Sequence, residues 1–123
     1  MNKQSERREY PRIKDKEVGV KLSGAGFKTM SQSLDVSASG IYCKVDRRIP
    51  VMTRIQVILS LPGRTKTAPP IEMEIEGIVV REHLSRREGE KECYDVAIFF
   101  NALTPRERET LVDYINRKAK QDI

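Results

Sequence analysis

The chain has 123 residues, room for one domain around one core, and its 23 Lys and Arg against 18 Asp and Glu leave a net charge of +5. That modest basic excess suits an anionic partner, whether nucleotide, nucleic acid or lipid headgroup, without choosing among them. No run of eighteen apolar residues and no apolar leader with a cleavage site occurs, which argues against a spanning helix or secretion and leads us to expect a cytoplasmic chain whose Cys43 and Cys93 stay reduced.

Residues 1–12 are polar and charged with no apolar face, and 1–16 are predicted to form a flexible basic arm; residues 17–123 are predicted to form the folded body. The arm contains ERREYPRI, with Arg7, Arg8 and Arg12 around Pro11. Pro11 has no N–H to donate and pushes Tyr10 towards an extended backbone. Arg8 and Arg12 share a side of the chain in either an extended or a helical conformation, so they can converge on one object.

Val18, Val20 and Leu22 alternate as in a strand, and Gly24 and Gly26 make a turn. A second strand is predicted over 27–36, with Met30, Leu34 and Val36 on one parity, and a third over 40–45, with Ile41, Cys43 and Val45 on another. A fourth spans 54–61, where Ile55, Val57, Leu59 and Leu61 alternate, and PGRTKTAPP at 62–70 reads as a loop. The fifth, 71–80, keeps an apolar parity at 71, 73 and 75 that blurs at Gly77, which predicts a bulge there. HLSRREGEKE, 83–92, reads as a charged loop, and Tyr94 to Phe100 as the last strand. A helix is predicted over 105–120: Thr104 at the N-cap, Pro105 at N1 and Glu107 at N3 form a capping box. Leu111, Val112, Ile115 and Ala119 give that helix an apolar stripe, which must be buried. The fold class is therefore all-β: a six-stranded antiparallel barrel, its opening or one face covered by a C-terminal helix.

SLDVSASGIY, between the second and third strands, holds Asp35, Ser37 and Gly40 in the spacing D-x-S-x-x-G. By itself this is a turn with ordinary turn residues. Combined with the R-x-x-x-R of Arg8 and Arg12, and followed by a β-rich body and the closing YDVAIFFNALTPRERETLVDYI, it resembles the PilZ domain family over nearly the whole chain. The resemblance implies a PilZ-like split barrel, here as a stand-alone domain, that binds the bacterial second messenger cyclic di-GMP and needs no other cofactor. It assigns the ligand to Arg8, Arg12, Asp35, Ser37 and Gly40.

The residue types suit such a ligand. An arginine fork matches guanine O6 and N7, and its plane can stack on a purine. Asp35 can accept from guanine N1–H and N2–H₂, Ser37 can donate to base or phosphate, and Gly40 allows close backbone approach. In the family, an arginine at the position of Arg7 goes with two stacked cyclic di-GMP molecules per chain; an ordinary surface arginine is the alternative. Arg81 is a weaker ligand candidate, set against a solvated strand-end residue. Signal output is expected through an unidentified protein partner, by ordering the arm and changing the surface that partner meets.

An enzyme is not expected. His83 is the sole histidine and sits in a charged stretch, and no nucleophile elbow, P-loop or metal-spaced cluster occurs. Cys43 falls on an apolar parity and reads as core, while Glu72, Glu74 and Glu76 mark a solvent face. The rival readings are a small basic barrel that binds nucleic acid and a ligand-free protein adaptor of the same fold. The first would need exposed aromatics along a basic groove; the chain has no Trp, and its three Phe fit core parities.

Overall fold

The computed structural model describes residues 17–24, 26–88 and 91–121. The predicted arm over 1–16, with Arg7, Arg8 and Arg12, lies outside the described residues. Among the described residues, six strands and one helix follow in chain order: β1 (Gly19–Gly24), β2 (Phe27–Val36), β3 (Gly40–Val45), β4 (Arg54–Leu61), β5 (Ile71–Glu88), β6 (Lys91–Phe100) and α1 (Pro105–Gln121). All pairings are antiparallel, and they close into a barrel in the order β1-β2-β3-β6-β5-β4 and back to β1.

Alternation builds the core, because successive side chains on a strand point to opposite faces. Val20 and Leu22, Ile41, Cys43 and Val45, and Ile55, Val57, Leu59 and Leu61 all point inward and are buried. Burial drives the Cys43 thiol pKa up to about 11, and both cysteines are free. The chain closes the barrel at both ends. At one, the β3–β4 connection crosses the mouth and drops Ile49 into the core, where its N–H donates to Glu82 Oε2. At the other, Leu111, Tyr114 and Ile115 of α1 join the core, with Val112 and Ala119 packed beside them. The capping box forms: Thr104 N–H donates to Glu107 Oε1 at 2.9 Å, and Glu107 N–H to Thr104 Oγ1 at 3.2 Å. Among the described residues no helix is long and apolar enough to cross a membrane.

Three expectations need correction. The charged stretch 83–92 is mostly strand: β5 runs to Glu88 and β6 starts at Lys91, so the two form a hairpin that extends beyond the barrel. Its backbone groups satisfy each other, so no apolar face is required and no alternation marks it in the sequence. Gly77 is not a bulge; it pairs in register with Ile55 and Phe100, and the β5–β6 register shifts instead at Val79/Arg81 and Leu84/Arg86. Gly77 is buried, and a Cβ there would lie 2.6 Å from Ile98 Cγ2, so tight interior packing explains the glycine. Of the phenylalanines, Phe100 is buried and Phe27 is half-buried against the core, but Phe99 is 49% exposed. Next to inward Ile98 and Phe100, it has to point out.

Candidate functional site

Register places residues distant in sequence side by side on the outer wall. Asp35 of β2 pairs with Tyr42 of β3, Tyr42 with Ala97 of β6, and Ala97 with Arg81 of β5. These residues form one row across four strands, its ends roughly 14 Å apart at about 4.8 Å per strand. On one side lies the row Gly40, Phe99 and Ile78; on the other, Lys44, Asp95 and His83. A cleft of about 420 Å³ opens over the first two rows, lined among others by Asp35, Ser39, Tyr42, Val80, Arg81 and Phe99.

Irregularities in the strands build this cleft. The β2–β3 register shifts between Ser33 and Asp35, and the β5–β6 register shifts between Val79 and Arg81. Each shift re-aims the side chains beside it, the usual effect of a bulge. Val79 stays buried while Val80 and Arg81 both face water. Ala97 contributes only a methyl group between Tyr42 and Arg81, which leaves a depression.

The turn after β2 is held by its own residues. Ser37 is 1% exposed. Its N–H donates to the Gly40 carbonyl at 2.9 Å, and its hydroxyl accepts from Ser39 N–H at 3.2 Å and lies 3.0 Å from Ser39 Oγ. Phe100 N–H donates to the Ser39 carbonyl at 3.0 Å, pinning the turn to β6. Ser37 thus shapes the turn, and Ser39 is the serine that reaches the cleft. Gly40 has no positive φ. Its Cβ would fall 2.3 Å from the Ile98 carbonyl oxygen, so the backbone that approaches it closely is that of β6.

The electrostatics are mixed. Burial, then Asp95, then Asp35 raise the Tyr42 pKa against the opposing pull of Arg81, so Tyr42 is a neutral phenol at physiological pH, able both to donate and to accept. Asp95 Oδ2 lies 3.4 Å from His83 Nε2, and Asp95 Oδ1 is buried without a hydrogen-bond partner among the described residues. The wall therefore offers a carboxylate, a phenol and a guanidinium in one line. No cluster among the described residues could hold a metal ion.

The family model of the PilZ domain matches residues 6–117. The chain belongs to the PilZ domain family. Among curated proteins the sequence finds no match. Among solved structures, this PilZ domain resembles the Bacillus subtilis inhibitor of motility MotI/DgrA, with a TM-score of 0.77 and 18% identity over 95% of this chain and 53% of that one. It also resembles the PilZ domain of YcgR from Escherichia coli with c-di-GMP, with a TM-score of 0.67 and 14% identity over 94% and 96% of the two chains. A third is the Borreliella burgdorferi PlzA protein in complex with c-di-GMP, at 0.60 and 10% identity over 91% and 52%. This PilZ domain thus spans about half the length of MotI and of PlzA.

Of the residues expected at the site, Asp35 and Gly40 line the cleft, and Ser37 is buried in the turn between them. Arg81, expected at a strand end, sits within β5 and lines the same cleft. Tyr42, Ser39, Val80 and Phe99 were missed. Tyr42 and Phe99 carried a weak signal, as outward-parity aromatics flanked by buried neighbours. Their convergence depends on register.

Proposed function

We propose that this PilZ domain is a cyclic di-GMP receptor and not an enzyme. The observation that carries the reading is the row Asp35–Tyr42–Ala97–Arg81 above a cleft beside the D-x-S-x-x-G turn. A carboxylate that accepts from N1–H and N2–H₂ and a guanidinium that donates to O6 and N7 are complementary to guanine. Relatives of the same fold described with c-di-GMP support the ligand class.

In this reading Arg8 and Arg12 close on the ligand from residues 1–16, and Asp35 holds its other side. Ser37 and Gly40 keep the turn in shape, and Arg7 adds the charge for a second cyclic di-GMP. Residues 1–12 have no apolar face to offset an ordering cost of about 1–2 kcal/mol per residue. Drawing them onto the cleft therefore consumes part of the contact energy and changes the surface offered to a protein partner.

Calorimetric titration with cyclic di-GMP, with GTP and a short oligonucleotide as controls, tests the assignment. Arg12→Ala is expected to weaken cyclic di-GMP binding by about 1–3 kcal/mol. Equal affinity of wild type and Arg12→Ala would remove the assignment. Tighter, steeply salt-dependent oligonucleotide binding would favour a nucleic-acid protein.

A further inference from the structure

Two large apolar side chains on the cleft wall face water: Phe99 at 49% and Val80 at 51% exposure. Phe99 of β6 is paired with Gly40 of β3, which offers no side chain to cover the ring. Nor can that position gain one, since a Cβ would meet the Ile98 carbonyl at 2.3 Å. The ring is thus left open on the side of the motif turn. Val80 is turned outward by the register shift between Val79 and Arg81. The polar row runs directly alongside, with Asp35 and Arg81 towards its two ends.

We propose that Phe99 and Val80 form an apolar shelf on which one purine of the ligand lies flat, supplying affinity without base identity, while Asp35 supplies the identity. The inference rests on the cyclic di-GMP reading above. Every base has a π-face, so a stacking shelf tolerates any base. Asp35 does not, because guanine presents two donors to a carboxylate where adenine N1 is an acceptor. Desolvating an already apolar shelf costs little, and a phenyl ring has few torsions to lose. The opposing explanation is that Phe99 shields the backbone at Gly40, as aromatics do for glycines in sheets. That role would be read in stability and not in affinity.

The experiment titrates wild type, Phe99→Ala, Phe99→Tyr and Asp35→Asn with cyclic di-GMP and with the mixed guanine–adenine cyclic dinucleotide, and records each melting temperature. Phe99→Ala is expected to weaken cyclic di-GMP binding roughly five- to a hundredfold, the effect of losing one base–aromatic stack. It should weaken the mixed dinucleotide by a similar factor, and Phe99→Tyr should restore both. Asp35→Asn should instead narrow the gap between the two ligands. Unchanged affinity in Phe99→Ala, with or without a lower melting temperature, overturns the shelf while leaving the receptor reading intact. Loss of affinity that Phe99→Tyr does not restore also overturns it. A wild type that binds neither nucleotide overturns the receptor reading and the shelf with it.

Discussion

From Ile71 to Ile78, β5 pairs with β4 in unbroken register and turns Glu72, Glu74 and Glu76 away from the core. From Val79 onwards the same strand pairs with β6 through two register shifts and turns Val80, Arg81 and His83 to water. Strict alternation in the first half repeats one residue type along one face, and like charges in a row keep each other solvated. The shifts in the second half break alternation and bring unlike groups together: an apolar side chain, a guanidinium and, across the sheet, a phenol and a carboxylate. Within one strand, then, the regular part serves the barrel and the irregular part builds the cleft. Regular pairing satisfies the backbone but fixes which side chains are neighbours, and only a bulge can change that.

The contrast is sharpest at two glycines. Gly40, on the cleft wall, has the Ile98 carbonyl where a Cβ would sit, at 2.3 Å, whereas a Cβ at Gly19 would meet Ser60 Cβ at an ordinary 3.4 Å. Gly40→Ala is expected to destabilise by about 3 kcal/mol, and Gly19→Ala by no more than about 0.5 kcal/mol. Similar melting temperatures for the two variants would show that the close β3–β6 approach is not what Gly40 serves.

A somewhat smaller effect is expected from the inward side of the same wall. Burial raises the Cys43 pKa from 9.0 to about 11, so the folded state holds its proton where the unfolded state has released it. This contribution is complete below pH 9 and is lost as pH rises through about 11, amounting to about 2–3 kcal/mol. Denaturant titrations at pH 8 and pH 11 should show that loss in wild type and a reduced one in Cys43→Ala. An equal loss in both would place the alkaline sensitivity elsewhere.

The smallest effects compare the halves of β5 directly. Arg81→Ala should lower cyclic di-GMP affinity about tenfold, at the low end for arginine–base contacts. Glu74→Gln should change neither affinity nor stability by more than about 0.5 kcal/mol. If the two variants bind alike, the irregular half of β5 has no special part in binding.

The sequence by itself determined what is local. Alternation at Ile55, Val57, Leu59 and Leu61, the capping box at Thr104 and Glu107, and the turn at Asp35–Gly40 each depend on residues a few positions apart, and each stands where it was predicted. The motif spacing likewise pointed to the PilZ family, which the match over residues 6–117 bears out. The tertiary structure decided what register decides. The row Asp35–Tyr42–Ala97–Arg81 joins residues from four strands, and no local pattern states which of them will be opposite one another. The β5–β6 hairpin extension was illegible because it has no buried face, and periodicity records only burial. The bulge was expected at Gly77 because a glycine breaks an apolar pattern. It occurs past Val79, where the wall changes from pairing in step with β4 to following β6 beyond the barrel's rim. That change of partner follows from closing six strands into a ring, and it belongs to no single segment of the chain.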